Sequence, residues 1–414
     1  MLSSSARRWL RTWSPRISAS KRLSIVLLST GVVAISAQSA SAASLIDLGT
    51  FGGLHSTAFA INDLGQVTGG ADTATGGSLN AFRWAPGSGL RDLGTLPGAT
   101  TSVGTSINNF GQVAGDAVTA NGEDHAFRWT RAGGMQDLGT LGGGSSNAAA
   151  INDLGEVTGN STAAEGQHVF RWTPTGGMQD LGTLGGFDSA GSAINDLGQV
   201  TGWAEEAGMS DSADGTFVAF RWTSAGGMQD LGTLGGPYSS GAAINNLGQV
   251  TGQADTANGD QHAFRWTATR GMQDLGTLGG ANSDGVAIND LGQVAGEAQT
   301  PAGDYHAFRW TPTGGMQDLG TVDGLPDSQA VAINNLGQIA GIAYDALGDS
   351  RAFRWTPGGG MQDLGLLSGY PDSQAVAMND FGEVVGLAST AGANTRAFLW
   401  IPPGRCRRLV RARR

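Results

Sequence analysis

The stretch HAFRWTPTGGMQDLGTVDG, residues His306 to Gly324, decides the fold because most of it recurs along the chain with small changes. Its tryptophan occurs eight times, with spacings of 45, 43, 50, 44, 44, 45 and 45 residues. These residues are Trp84, Trp129, Trp172, Trp222, Trp266, Trp310, Trp355 and Trp400. A self-similar period of this length indicates a repeat architecture.

Each repeat contains four short β-like segments, which we denote strands A to D in chain order. In one repeat they are AAAIN (148–152), EVTG (156–159), HVFRWT (168–173) and GMQDLG (177–182). The segments alternate, are rich in Val, Ile, Phe, Trp and Thr, and are separated by Gly, Asn and Asp. Four strands per repeat of about 45 residues predicts a β-propeller.

The two ends of the repeat region predict how the ring closes. The region opens on a D strand, SLIDLGT (44–50), and closes on a C strand, RAFLW (396–400). We therefore expect an all-β fold: an eight-bladed β-propeller of four-stranded antiparallel blades, closed by the N-terminal strand joining the last blade. A linear solenoid is the alternative, but it would need polar capping repeats, which neither end has.

The chain divides into three segments. Residues 1–42 carry six cations, no acid, an apolar run (Leu23–Ser36) and the small-residue site Ala40-Ser41-Ala42. This pattern is typical of a signal peptide and predicts a secreted, extracellular or periplasmic protein; a membrane anchor is the alternative. Residues 43–403 form the predicted propeller. Residues 404–414 carry six arginines and are expected to be a disordered basic tail.

Charge and cysteine content exclude several classes of protein. Residues 43–403 hold 12 arginines against all 35 acids, a formal charge of −23, which disfavours binding to nucleic acid. The only cysteine, Cys406, rules out an intrachain disulfide. No segment after the signal peptide is long and apolar enough to span a membrane. We expect a monomer.

The residues that recur in every repeat are expected to be structural. A two-residue turn between strands C and D would pair Arg171 with Asp180, and Arg309 with Asp318. Strand alternation places the preceding Phe and the following Trp on the opposite face from Arg, so Trp172 and Trp310 are expected to fill the space between blades. A residue present in every blade is rarely catalytic, because chemistry breaks the symmetry.

One repeat departs from the others and supplies the candidate binding site. The B–C connection of the fourth repeat, within residues 204–220, is about six residues longer than its counterparts and rich in acids. Variable loops on a rigid scaffold commonly carry binding, although a solvated acidic loop is the alternative. The candidate binding residues are Trp203, Glu205, Glu206, Asp211 and Asp214.

No cofactor and no metal site are expected. Calcium at this loop is the one alternative, but DSADG lacks the full calcium-loop pattern. The repeat histidines lie tens of residues apart, which is not metal-ligand spacing. No nucleophile–base motif is present, so no catalytic residue is assigned.

The combination of HAFRW, GGMQDLGTLGG and AINDLGQVTG resembles the HAF-repeat proteins, a group of exported bacterial repeat proteins, over residues 44–400. The resemblance implies a bacterial envelope or extracellular protein and brings no catalytic residues. The PEP-CTERM segment that often ends such proteins has no counterpart here. We expect a non-enzymatic extracellular binding or scaffold module for a glycan or surface protein, using the B–C and D–A loops. The alternative is a carbohydrate-active hydrolase or lyase with carboxylates near the propeller axis.

Overall fold

The structure is a computed structural model that describes residues 43–74, 77–207, 216–392 and 394–404. Within these ranges the chain is all-β and forms eight four-stranded antiparallel sheets, as predicted. No helix that could cross a bilayer occurs in the described part of the chain. The predicted signal peptide lies outside the described residues, as does all of the predicted tail except Gly404.

The blades follow one another along the chain, and each uses its strands in the order A, B, C, D. Blade 1 comprises β2 (Gly52–Ile61), β3 (Val67–Thr73), β4 (Leu79–Ala85) and β5 (Gly89–Asp92), and blade 2 comprises β6 (Ala99–Ile107), β7 (Val113–Thr119), β8 (Asp124–Thr130) and β9 (Gly134–Asp137). Blade 3 comprises β10 (Ser146–Ile151), β11 (Val157–Thr162), β12 (Gln167–Thr173) and β13 (Gly177–Asp180). Blade 4 comprises β14 (Gly185–Ile194), β15 (Val200–Glu206), β16 (Phe217–Thr223) and β17 (Gly227–Asp230).

Blades 5 to 7 repeat this plan, and blade 8 has only three consecutive strands. Blade 5 comprises β18 (Gly235–Ile244), β19 (Val250–Thr256), β20 (Gln261–Thr267) and β21 (Gly271–Asp274), and blade 6 comprises β22 (Ser283–Ile288), β23 (Val294–Gln299), β24 (Tyr305–Thr311) and β25 (Gly315–Asp318). Blade 7 comprises β26 (Asp327–Ile333), β27 (Ile339–Tyr344), β28 (Ser350–Thr356) and β29 (Gly360–Asp363). The three consecutive strands of blade 8 are β30 (Asp372–Met378), β31 (Val384–Ser389) and β32 (Thr395–Ile401).

The N-terminal strand β1 (Ser44–Asp47) completes blade 8, which confirms the predicted closure. It pairs antiparallel with β32, with Ser44 opposite Ile401 and Ile46 opposite Leu399. The N–H of Leu48 continues the pairing by donating to the carbonyl of Ala397. A closed ring leaves no blade without a neighbour, so each blade can bury both of its faces.

The hydrophobic core lies between blades. The Phe and Trp of strand C project from one face of a blade and pack against small residues on the facing surface of the preceding blade. In blade 6, for example, Phe308 and Trp310 pack against Ala243 and Ala263 of blade 5. The eight phenylalanines are fully buried and the eight tryptophans, Trp172 and Trp310 among them, nearly so. The alanines opposite them leave room for the large rings.

Polar side chains on strand A join neighbouring blades at two levels. A buried serine accepts a hydrogen bond from a strand C amide of the preceding blade, as Ser189 does from Val169, and the last link joins Ser56 to Ala397. Nearer the axis, an asparagine donates from Nδ2 to the asparagine carbonyl of the next blade. This circle is complete: its eight distances lie between 2.8 and 3.2 Å, and the last bond runs from Asn379 to Asn62.

The predicted Arg–Asp pairing is wrong by one residue. Arg171 lies opposite Gln179, and Asp180 lies opposite Phe170; Arg309 and Asp318 are offset in the same way. The physical reason is the turn, because Thr173 pairs with Gly177 and the loop therefore has three residues. Gly177, which ends the turn, takes a positive φ of 68°, a conformation that glycine adopts without steric cost.

Candidate functional site

The ring has two ends with different chemistry. The A–B turns and C–D turns lie at one end, which we call the A–B face, and the B–C and D–A connections lie at the other, which we call the B–C face. The recurring Asn-Asp-Leu-Gly turns hold their geometry through the asparagine, as when Asn195 Oδ1 accepts the N–H groups of Leu197 and Gln199. The B–C face carries the length variation, and the candidate binding residues of β15 lie at that end.

Trp203 belongs to an aromatic cluster that occurs once in the described chain. Its ring lies 5.3 Å from that of Phe217 on β16, and the Phe217 ring lies 5.1 Å from that of Tyr238 on β18 of the next blade. All three side chains are partly exposed. The strand position of Trp203 is occupied by Gly70, Asp116, Asn160, Gln253, Glu297, Ile342 and Leu387 in the other blades. The cluster therefore breaks the eightfold repeat.

The two glutamates that follow Trp203 have different roles. Glu205 Oε2 accepts hydrogen bonds from the N–H groups of Phe187 and Asp188, which anchors the start of strand A and leaves the Phe187 side chain 43% exposed. Glu206 lines a cavity of about 290 Å³ at the junction of blades 4 and 5. Cavities that bind small ligands begin at about this size.

The cavity lies at the same blade junction as the aromatic cluster. Its lining includes Val218 and Pro237, which follow Phe217 and precede Tyr238 in the chain, and the carboxylate-bearing Asp230. Aromatic faces, carboxylates and a cavity of this size are a combination that can stack on and hydrogen-bond to a polar ligand. The other two candidate residues, Asp211 and Asp214, lie outside the described residues.

A second candidate is the ring of carboxylates and amides around the axis at the A–B face. It consists of the residue after each turn asparagine: Asp63, Asn109, Asp153, Asp196, Asn246, Asp290, Asn335 and Asp380. Oδ1 of each accepts the N–H of its counterpart in the preceding blade, at 2.8 to 3.0 Å around the whole circle. One carboxylate oxygen of each aspartate is thus committed to holding blades together.

Burial within the axial ring disfavours its charged form. Desolvation, with Asp380 and Asp153 nearby, raises the pKa of Asp63 to about 6. Burial likewise raises the pKa values of Asp196 and Asp290. The adjoining axial cavity has a volume of about 50 Å³, which suits one or two water molecules and is too small for a sugar ring.

The recurring histidine and aspartate form a local pair at the B–C face. Nδ1 of His168 donates to Oδ2 of Asp180 at 2.8 Å, and His306 and Asp318 are 3.0 Å apart in the same arrangement. Each pair stands alone in its blade. No group of three His, Cys, Asp or Glu residues that could hold a metal ion occurs within the described ranges.

Sequence reasoning missed Phe217, Tyr238 and Phe187. A usable signal was present, because Phe217 takes the place of Gln167 and Gln261, and Tyr238 takes the place of Asp188. An aromatic residue where a neighbouring repeat has a polar one marks a departure from the repeat. That these residues meet across two blades follows from the tertiary structure alone.

Comparison with solved structures identifies the fold. The chain is similar to Porphyromonas gingivalis dipeptidyl peptidase 4, at 10% identity and a TM-score of 0.53, over 85% of this chain and 58% of that one. It is similar to a puromycin hydrolase at 13% identity and a TM-score of 0.47, over 69% and 49% of the two chains. It is also similar to a lectin from Burkholderia pseudomallei at 12% identity and a TM-score of 0.45, over 78% and 98%.

The chain spans about half the length of the puromycin hydrolases it matches. No protein-family model matches the chain, and no curated protein matches it. At identities this low, the comparisons show that the chain has a β-propeller fold and leave its function to be argued from its own residues.

Proposed function

We propose that the protein is a non-enzymatic binding or scaffold module, exported by a bacterium, that binds a glycan at the B–C face of blades 4 and 5. The observation that carries this proposal is a departure from the repeat: Trp203, Phe217 and Tyr238 form a cluster at the junction of blades 4 and 5, where Glu206 and Asp230 line a cavity. Sugar rings present apolar C–H faces and hydroxyl groups, which match aromatic planes and carboxylates respectively. The resemblance to exported HAF-repeat proteins agrees with an extracellular ligand.

Phe187, on strand A of blade 4, is a further exposed aromatic residue at the B–C face. Its backbone is held by Glu205, so the side chain is positioned without being buried. A pre-positioned aromatic residue lowers the entropy lost on binding, because the protein need not reorganise to meet the ligand.

A carbohydrate-active hydrolase or lyase is the second candidate, and the aspartates around the axis are the observation that favours it. Asp63, with its raised pKa, has the property of a general acid. Against this role, Oδ1 of Asp63 accepts a backbone N–H, and the axial cavity has no room for a sugar ring. We therefore assign these aspartates to the joints between blades.

The test is a glycan array followed by calorimetry on the best ligand. Phe187→Ala and Trp203→Ala should each weaken binding about tenfold or more, the effect of losing one stacked aromatic ring. Phe110→Ala is the matched control, since it removes an exposed phenylalanine from the A–B face. Equal affinities in all three variants, or no glycan bound at all, would contradict the proposal. New reducing ends in a polysaccharide incubation, abolished by a single Asp or Glu substitution, would favour the hydrolase.

A further inference from the structure

The A–B face carries a circle of exposed apolar side chains. The third residue of each of the eight A–B turns is Leu or Phe, from Leu64 in blade 1 to Phe381 in blade 8, and each is 49% to 67% exposed. Scattered exposed leucines are ordinary, but eight at one level around one face are not. A flat apolar layer could contact all eight of these side chains at once.

Arginines surround this apolar ring. Each of the seven C-strand arginines lies against the turn glycine of the following blade, as Arg83 lies against Gly111. Six of these also stack over a tryptophan of the following blade, with guanidinium carbons 5.3 to 5.7 Å from the ring centroids. Stacking leaves the edges of the guanidinium group available for an anion.

Most of these cations have no carboxylate partner among the described residues. Arg171 is the exception, because it pairs with Glu156. In the other six, Nε is buried without a hydrogen bond, and desolvation lowers the pKa of the guanidinium group; they are Arg83, Arg128, Arg221, Arg265, Arg309 and Arg354. A partly desolvated cation without a counter-charge would be stabilised by an anionic ligand.

Charge is distributed unequally between the two faces. Ten of the twelve arginines between residues 43 and 404 lie at the A–B face, including Arg91 on β5 and Arg131 and Arg270 in C–D turns. The acids of the DLG elements and of the B–C and D–A connections lie at the opposite end. The molecule is therefore polarised along its axis, although its body is strongly acidic overall.

The opposing acids at the A–B face are already engaged. The five aspartates of the axial ring lie inside the apolar circle, and Oδ1 of each accepts a backbone N–H. Glu156 pairs with Arg171, and Glu383 is buried and bonded to Asn379. These seven acids are fewer than the ten arginines around them.

The described chain leaves its last strand at this same face, and a segment with six arginines follows in the sequence. Strand β32 ends at Ile401, where a C–D turn would stand in another blade, and residues 405–414 follow within four residues. The pairing of Ser44 with Ile401 places the start of the body there too. Basic segments next to an apolar surface strengthen attachment to anionic membranes.

From these observations we propose that the A–B face docks on an anionic phospholipid bilayer, with the Leu/Phe circle entering the interface and the C-strand arginines binding headgroup phosphates. A second copy of the chain is a poorer occupant, because face-to-face contact would bring two sets of arginines together. This surface is separate from the proposed glycan site, which lies at the opposite end of the ring.

The test is co-sedimentation of the full chain with vesicles of phosphatidylcholine alone, or of phosphatidylcholine with 30% phosphatidylglycerol. The double variant Leu197→Ser/Leu247→Ser removes two apolar side chains from the circle. The control Leu54→Ser/Leu347→Ser removes two leucines from the B–C face that are at least about as exposed as the test pair. Because residues 43–414 contain all thirty-two strands, the same pairs are also compared in that shorter chain, without the apolar run of residues 23–36.

We expect binding to the anionic vesicles to fall about tenfold or more in the Leu197/Leu247 variant and to be unchanged in the control. Binding should also fall between 50 and 500 mM NaCl and be weak on neutral vesicles. Equal binding to both vesicle types, or equal losses in both variants, would overturn the proposal. So would a dimer that the Leu197/Leu247 variant dissociates, without vesicle binding, since a second copy would then be the occupant. Loss of glycan binding in Phe187→Ala with vesicle binding intact would separate the two surfaces.

Discussion

Asp63→Asn should stabilise the protein at neutral pH. The Asp63 carboxylate is partly buried in the axial ring, near Asp380 and Asp153, and its pKa is raised from 3.8 to about 6. Asparagine keeps the oxygen that accepts the N–H of Asp380 at 3.0 Å, and Asn109 makes the equivalent bond to the N–H of Asp63 at 3.0 Å. The substitution therefore removes the charge while preserving the joint between blades.

The magnitude follows from proton linkage. A raised pKa means that the folded state binds protons more tightly than the unfolded state, so the cost of ionising Asp63 accumulates as the pH rises from about 4 to about 6 and is complete above that. About two pKa units correspond to about 3 kcal/mol, and screening by solvent at this partly open site reduces the effect to about 1 kcal/mol. We expect Asp63→Asn to raise the unfolding free energy by about 1 kcal/mol above pH 6, and the melting temperature by about 1–3 °C. Below about pH 4 both states of the wild-type protein are protonated, so the gain should vanish.

The assay is thermal unfolding of wild type and variant from pH 3.5 to 8. Asn109→Asp is the mirror control, because a sixth carboxylate in the ring should lower stability at neutral pH. Asp63→Ala should also lower it, since the N–H of Asp380 loses its acceptor. A gain of equal size at pH 4 and pH 7.5, or no gain at pH 7.5, would refute the argument from burial and charge.

Two further substitutions examine the closure of the ring and the corrected strand register. Asn379→Ala should lower the unfolding free energy by about 2–3 kcal/mol, because it removes the donor to Asn62 that links blade 8 to blade 1. It also removes the oxygen that accepts two backbone N–H groups and orders its own turn. Urea unfolding measures the loss of stability, and an effect below about 0.5 kcal/mol would contradict this expectation. Asp180→Ala should cost about 0.5–1 kcal/mol, since this half-exposed carboxylate bonds His168 and the N–H of Gly182 and does not pair with Arg171. In a double-mutant cycle, Asp180 should couple to His168 and not to Arg171, whereas coupling to Arg171 would restore the pairing expected from sequence.

The sequence predicted only part of the candidate site. The long B–C connection drew attention to Trp203, Glu205 and Glu206, because insertion length and composition are visible along the chain. The partners of Trp203 were not visible in that way, since Phe217 and Tyr238 belong to different strands of different blades. A site assembled across a blade junction depends on how two sheets pack, which local patterns do not encode.

The register of strands C and D shows a similar limit. The constant spacing between Trp172 and Asp180 established that the two strands form a hairpin, but it fits both a two-residue and a three-residue loop. The structure has the longer loop, and every pairing moves by one residue as a result. The sequence therefore predicted the hairpin correctly and its side-chain partners wrongly.

The sequence by itself determined the number of blades, the four strands in each, the closure by residues 44–47 and the aromatic packing between blades. These features depend on period-two alternation and on a repeat of about 45 residues, both of which are local or periodic. Only the tertiary structure decided the circles of asparagine and aspartate around the axis, the aromatic cluster of blades 4 and 5, and the separation of arginines from acids between the two faces. The reason is that these contacts join residues from different blades, in the last joint 317 positions apart, and they exist only once the ring has closed.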